Sequence, residues 1–216
     1  MSKIAIAITG SRGVIGTVLL SGLQEFSITS LNLPDVDVRS YEQLLKHFKG
    51  VSTVIHLAKS RNIGAGDVSN SDNLLMMRNV YKASVDANVK RVIMASSVHA
   101  DNFYDWKGPG KLSINRVPKP RSAYGLDKVA MEVLGEEYAK KGLEVVCVRF
   151  GGVNVSDMPP KDDYWEEAVW LSHKDCVAAI RACLIKDKIP NNFAVFYAVS
   201  DNENKAHDTS NPLGWK

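Results

Sequence analysis

An α/β fold built on a doubly wound parallel sheet is what the sequence predicts, on three observations. Short apolar stretches rich in β-branched residues alternate with helical stretches along all 216 residues. The first of them runs directly into a glycine turn and a helix, the junction with which such sheets begin. No repeat, low-complexity segment or linker interrupts the alternation, so residues 1–216 read as a single domain.

Residues 4–8 alternate Ile with Ala and form the first expected strand. Gly10, Gly13 and Gly16 follow at G-x-x-G-x-x-G spacing and lead into a helix over 17–24. In that setting the first glycine makes the tight turn and the second lets backbone N–H groups approach a diphosphate. The third lets helix and strand pack closely. Arg12, Val14 and Ile15 complete this expected nucleotide cradle. A second strand spans 28–33. Near its end, where an NAD site carries a carboxylate for the ribose hydroxyls, stands Asn32. Nothing there repels a 2′-phosphate, and Arg12 can pair with one. NAD and NADP both remain open, with a slight preference for NADP.

A short helix over Tyr41–Phe48 stops at Gly50, and a third strand over 51–57 ends in His56-Leu57-Ala58. Leu57 and the small Ala58 sit where a strand end faces a cofactor, while His56 reads as a packed structural histidine. Residues 59–71 are polar and Gly/Ser/Asn-rich, as in a mobile loop across a site. A helix over 72–87 precedes a strand over 89–95. Ser96 and Ser97 follow, just past the carboxyl end, where open α/β sheets bind ligands. A long loop over 99–120 carries Phe103, Tyr104 and Trp106, and Ser122 then caps a helix running to about residue 141. A strand over 143–150 opens at Gly151 into a loop with an acidic, aromatic run around Tyr164 and Trp165. A helix over 174–186, a strand over 193–199 and a polar tail complete the chain.

Tyr124 and Lys128 stand four residues apart on the expected helix, so their side chains share one face. An ammonium beside a phenol favours the phenolate, which is expected to bring the tyrosine pKa towards neutrality and make it a proton carrier. Alone, this spacing arises often by chance. Behind a nucleotide-binding glycine turn it gains meaning.

Bulk composition narrows the partners. With 45% hydrophobic and 24% charged residues the chain has material for a full core. The net charge of +3 comes without a basic run, which argues against nucleic acid. Cys147, Cys176 and Cys183 are odd in number and lack C-x-x-C spacing, so they read as reduced core thiols. No metal-ligand pattern, membrane span or signal peptide is evident. The chain reads as soluble and cytoplasmic, with no membrane partner.

Four landmarks carry a family resemblance. They are Thr9-Gly10-x-x-Gly13-x-x-Gly16, Val54-Ile55-His56-Leu57-Ala58, the stretch from Arg91 through Ser97, and Tyr124-Gly125-x-x-Lys128 with Glu132. In this order and spacing the chain resembles the extended short-chain dehydrogenase/reductases, the NAD-dependent epimerase/dehydratase family. The resemblance implies a Rossmann-type sheet with a much reduced C-terminal substrate region, to which residues 151–216 contribute a small substrate-binding part. It also implies that Ser97 orients the reacting hydroxyl or carbonyl, that Tyr124 is the general acid/base, and that Lys128 binds the nicotinamide ribose. By the same resemblance Asn73 supports the site, Asp37 and Val38 contact adenine, and the helices over 72–87 and 122–141 pair in a homodimer. Further similarity is to uronate dehydrogenases and related sugar dehydrogenases. Ser96-Ser97-Val98-His99 resembles their S-S-N-H, Arg149-Phe150-Gly151-Gly152 their R-I-G-S, and the stretch from Trp170 to Asp175 their W-F-S-H-D-D. It implies substrate contacts at Ser97, Val98, His99, Gly151 and Trp165.

Two departures bear on the substrate. Val98 replaces an asparagine. Where those enzymes hold a carboxylate with an arginine, this chain has Tyr164-Trp165-Glu166-Glu167. A neutral small sugar, alcohol or carbonyl compound therefore fits better than a uronate. The leading expectation is an NAD(P)-dependent oxidoreductase. A nucleotide-sugar epimerase or dehydratase is the alternative, disfavoured by the short stretch after residue 150. A non-catalytic dinucleotide sensor is the second, disfavoured because Tyr124 and Lys128 are both present.

Overall fold

The computed structural model describes residues 3–60, 70–102, 104, 107, 111–161 and 163–215. The strands are β1 (Ala5–Thr9), β2 (Ser27–Leu31), β3 (Thr53–His56), β4 (Arg91–Ser97), β5 (Glu144–Phe150) and β6 (Phe193–Ala198). They form one sheet in the order β2-β1-β3-β4-β5-β6, and every pairing is parallel. The helices are α1 (Val14–Gly22), α2 (Tyr41–Phe48), α3 (Ser71–Asp86), α4 (Ala123–Ala139), α5 (Tyr164–Ala168) and α6 (His173–Ile185).

Side-chain alternation along the strands sorts the core into two layers. Ile6, Ile8, Ile93, Val146 and Val148 face one way, against Leu19 of α1 and Ile180 of α6. Ala7, Val54, Val92, Val145 and Cys147 face the other way, against Leu44 of α2, Val80 of α3 and Met131 of α4. Burial on both faces explains why β4 and β5 are apolar runs rather than alternating strands. The connection order reverses beside β1: β2 lies on one side of it and β3 on the other. The chain leaves β1 for α1 on one face of the sheet and leaves β3 for α3 on the other, which opens a crevice between them.

Several boundaries differ from the sequence expectation, each for a local reason. The strand β4 continues to Ser97 because β5 pairs with it as far as Ser97 opposite Phe150. Ser96 and Ser97 are therefore the last residues of the strand, not the first beyond it. The helix α1 starts at Val14, with Gly13 as its cap, rather than at residue 17. The helix α5 was not expected. The Asp163 side chain caps it by accepting from the Trp165 and Glu166 backbone N–H groups at 2.8 and 3.1 Å. The cap expected at Ser122 is present, accepting from Gly125 N at 3.2 Å.

A buried charged cluster ties α4 to the sheet. Arg149 of β5 donates to both Glu132 oxygens, at 2.8 and 2.7 Å, and to Asp101 and the Tyr197 hydroxyl, each at 3.1 Å. Ser96 of β4 donates to Glu132 at 2.5 Å. Arg149, Glu132 and Asp101 are all buried, so each depends on the others for the solvation it has given up. Arg149→Met is expected to cost about 3–5 kcal/mol by leaving Glu132 and Asp101 without their cation. Denaturant unfolding measures this, and a loss under about 1 kcal/mol would show the cluster to be dispensable.

Candidate active site

The crevice is a cleft of about 930 Å³ across the carboxyl ends of the strands. Its floor at one end is the glycine turn, where Gly10, Arg12, Gly13, Val14, Ile15 and Gly16 all line it. Added Cβ atoms show what the glycines do. At Gly10, which has a φ of +71°, a Cβ would stand 2.6 Å from Ala58 N, and at Gly16 it would stand 2.4 Å from Ser11 O. Those two glycines let strands and helix close up. At Gly13 a Cβ would meet only Gly10 O, at 3.4 Å, so this backbone is open towards the cleft. No side chain caps α1, and its first turn carries no acid. Its N-terminal N–H groups and the positive end of its dipole are thus left for an anion, which is the fit a dinucleotide diphosphate requires.

Beside the turn, Asn32 donates to Ser11 Oγ at 2.6 Å and accepts from Arg12 N at 3.2 Å. It braces the turn as well as lining the cleft. Arg12 is drawn elsewhere than expected. Its guanidinium donates to Leu33 O at 2.8 Å and reaches Asp35 at 3.4 Å. A carboxylate thus stands three residues beyond Asn32 within reach of Arg12, so Arg12 has partners besides a 2′-phosphate and is not by itself a ground for preferring NADP. The pair is exposed and worth little by itself. Asp37 and Val38 both line this end. Hydrogen bonds from Arg39 hold the Asp37 carboxyl below its ordinary pKa. Arg39 also lines the cleft and pairs with Asp72 at 3.5 Å. Nothing in its local sequence singles Arg39 out.

At the other end the cleft is lined by Leu57, Ala58, Lys59, Ser96, Ser97, Tyr124, Lys128 and Gly151. A close approach brings Tyr124 to Ser97. A Cβ at Gly125 would stand 2.3 Å from His99 O, so only glycine lets α4 rest on the 3-10 turn over Val98–Ala100. The Ser97 hydroxyl lies on the Tyr124 side of the cleft, close enough to favour the phenolate. Lys128 Nζ lies 5.3 Å from the Tyr124 ring centre and donates to Ala95 O at 2.6 Å.

The electrostatics differ from the expectation for this pair. Burial raises the Tyr124 pKa, with Ser97 opposing it, and Lys128 does not bring the phenol towards neutrality. Lys128 is itself pulled down to about 8, first by burial and then by the charge of Lys59. Desolvation of both groups outweighs their attraction. His56 is the structural residue expected: fully buried, its Nδ1 2.7 Å from Thr9 Oγ1, and depressed to about 3 by burial.

Asn73 lines the inner end of the cleft, donating to Asp127 at 2.9 Å and accepting from Ser60 N at 2.8 Å. His99 lies outside the lining, its ring edge-on to Tyr124 at 5.6 Å and its Nδ1 3.0 Å from Asn102. Val98 and Trp165 do not reach the cleft. They pack instead with Val169, Tyr197 and Val199 in a separate apolar cluster. The acidic run has turned away too, because α5 directs Asp163 to its own cap, and neither Glu166 nor Glu167 lines the cleft. The loop expected across the site falls largely on 61–69, and Phe103 and Trp106 belong to the second expected loop. These lie outside the described residues. Among the described residues no cluster of His, Cys, Asp or Glu is placed to hold a metal, and no helix is long and apolar enough to cross a membrane.

Comparison with known proteins agrees with this geometry. L-arabinose 1-dehydrogenase (NAD(P)(+)) of Haloferax volcanii is 29% identical over 93% of this chain and 89% of its own length. NAD-dependent glucose-6-phosphate dehydrogenase of the same organism is 30% identical over 83% of this chain and 71% of its own. The crystal structure of uronate dehydrogenase from Agrobacterium tumefaciens superimposes with a TM-score of 0.82 at 23% identity. That match covers all of this chain and 85% of the other, and shows the shared Rossmann-type fold. Residues 6–154 match the profile of the NAD dependent epimerase/dehydratase family, and the chain belongs to that family.

Proposed function

We propose that the protein is an NAD(P)-dependent oxidoreductase that moves a hydride between the cofactor and a small sugar. The observation that carries this reading is the meeting of Ser97, Tyr124 and Lys128 at one end of a cleft whose other end is an uncapped glycine turn. The relatives named above, dehydrogenases of arabinose and of glucose 6-phosphate, support the sugar as substrate class. Either cofactor form suits the cleft, since Arg12 reaches Leu33 O and Asp35 and is not reserved for a 2′-phosphate.

The nicotinamide supplies the hydride chemistry. The chain's own residues do the rest. The glycine turn and α1 hold the diphosphate, Asn32 and Asp37 face the adenosine end, and Lys128 serves the ribose nearest Tyr124. Ser97 orients the reacting oxygen. Tyr124 takes its proton when an alcohol is oxidised and returns it when a carbonyl is reduced. Because burial raises the phenol, sugar oxidation gains its base as pH rises. Residues 151–216 contribute Gly151 and Val153 to the cleft and otherwise complete the same domain.

We further infer a homodimer in the cytoplasm. Leu74, Leu75 and Val85 of α3 and Leu126 and Val133 of α4 are exposed, which supports pairing through these helices. The three buried, unpaired cysteines suit a reducing compartment.

Tyr124→Phe is expected to lower kcat by about 10²–10⁴-fold while nucleotide affinity stays within about threefold. Turnover within a few-fold of the parent would remove Tyr124 as the proton carrier. The rate of sugar oxidation is expected to keep climbing as pH rises towards and past the ordinary phenol value of about 10, because the raised phenol ionises only there; a rate that levels off below about pH 9 would contradict that assignment. Sedimentation of the parent should give twice the chain mass, and Val133→Glu with Leu126→Glu should give the single chain. A monomeric parent would end the dimer reading.

A further inference from the structure

The cleft contains a cation that the reaction described above does not use. Lys59 directly follows the β3 end and borders both the inner part of the cleft and its wider mouth. Its Nζ lies 5.5 Å from the Tyr124 ring centre, while Lys128 Nζ lies 5.3 Å from the same ring. The two ammonium groups therefore crowd one phenol, and the charge of Lys59 lowers the pKa of Lys128. Charge repulsion of this kind is costly unless something negative shares the space.

Asp127 and Glu132 act against it at Lys128, each less strongly than Lys59, and neither forms an ion pair with Lys59. Asp72 pairs with Arg39, and so does Asp37. Asp127 is engaged by Asn73 and by the Asn70 backbone N–H. Among the described residues no carboxylate forms an ion pair with Lys59. Nor does its placement rest on a free loop. The next residue, Ser60, is pinned through its N–H to Asn73 Oδ1 at 2.8 Å, and Ala58 N reaches Thr9 Oγ1 at 3.5 Å. The backbone on both sides is fixed, so the ammonium is presented to the cleft beside the reacting end.

We propose that Lys59 is an anion-binding residue of this cleft, taking a phosphate or carboxylate group of a ligand held next to Tyr124. Two sources present that chemistry: the diphosphate of the dinucleotide, or an acidic substituent on the sugar. This inference rests on the oxidoreductase reading for its second source only. It also alters the substrate expectation drawn from the acidic run near Trp165, because that run does not line the cleft and Lys59 does. An acidic sugar or sugar phosphate would meet a cation here.

The test is calorimetric titration of the full chain without turnover, comparing the parent with Lys59→Met and Lys59→Arg. The probes are inorganic pyrophosphate, NAD, glucose 6-phosphate and glucuronate, the last two added with NADH present so that no sugar can be oxidised. Lys59→Met is expected to weaken at least one probe about tenfold, and Lys59→Arg to hold it within about threefold of the parent. Loss of pyrophosphate and NAD affinity assigns the cofactor diphosphate; loss of the acidic sugars alone assigns the substrate. Equal affinity of parent and Lys59→Met for all four probes would overturn the proposal, as would a loss that Lys59→Arg fails to restore. Circular dichroism of each variant shows whether it is folded. A parent that binds the probes but oxidises no sugar would contradict the oxidoreductase reading and leave Lys59's role standing.

Discussion

The ion pair between Glu132 and Arg149 sets the position of everything at the reacting end of the cleft. Glu132 lies two turns beyond Tyr124 on α4, and Arg149 lies on β5. Ser96, the neighbour of Ser97, donates to the same carboxylate. One buried carboxylate therefore fixes the helix that carries Tyr124 and Lys128 against the strand that carries Ser97. Breaking such a pair exposes the desolvation cost of both charges, so the arrangement has little freedom to drift. Gly125 completes the fit by letting the helix N-terminus rest on the His99 carbonyl. Positioning within a fraction of an ångström is what hydride and proton transfer require, and the clamp supplies it from outside the cleft.

The two ends of the cleft use different physics. At the glycine turn the protein offers backbone: unpaired N–H groups, a helix dipole and open space where a Cβ would otherwise stand. At the other end it offers side chains whose burial works against their charged forms. Tyr124 is raised and Lys128 is lowered. Their proximity alone does not make a phenolate at neutral pH. An anion close to the two lysines would favour their charged forms, and the lysines in turn would favour the phenolate. Ligand binding and acid–base readiness are thus linked through the same few groups.

Much of this was legible in the sequence, for identifiable reasons. Strand and helix alternation, the glycine spacing and the Ser122 cap are local signals, and local signals survive without tertiary information. Tyr124, Lys128 and Ser97, which line one end of the cleft, could be picked out because their spacing and their places at element ends are themselves local. What failed was long-range. Arg12 looked free until β2 brought Asp35 beside it. Trp165 and Val98 looked like cleft residues until the short helix α5 and the 3-10 turn directed them into their own apolar cluster. The direction of the Tyr124 shift depends on burial, which no spacing reveals. Lys59 and Arg39 drew no attention because a lysine or arginine in a loop is ordinarily a solvated one.

The central claim is that the cleft transfers a hydride between a sugar carbon and the nicotinamide. Incubating the protein with NAD or NADP and perdeuterated aldoses, sugar phosphates and uronates, then following the cofactor by mass spectrometry and absorbance, tests it most directly. The account predicts reduced cofactor carrying one deuterium, formed with a primary isotope effect. Tight nucleotide binding with no deuterium on the cofactor for any of these sugars would contradict it.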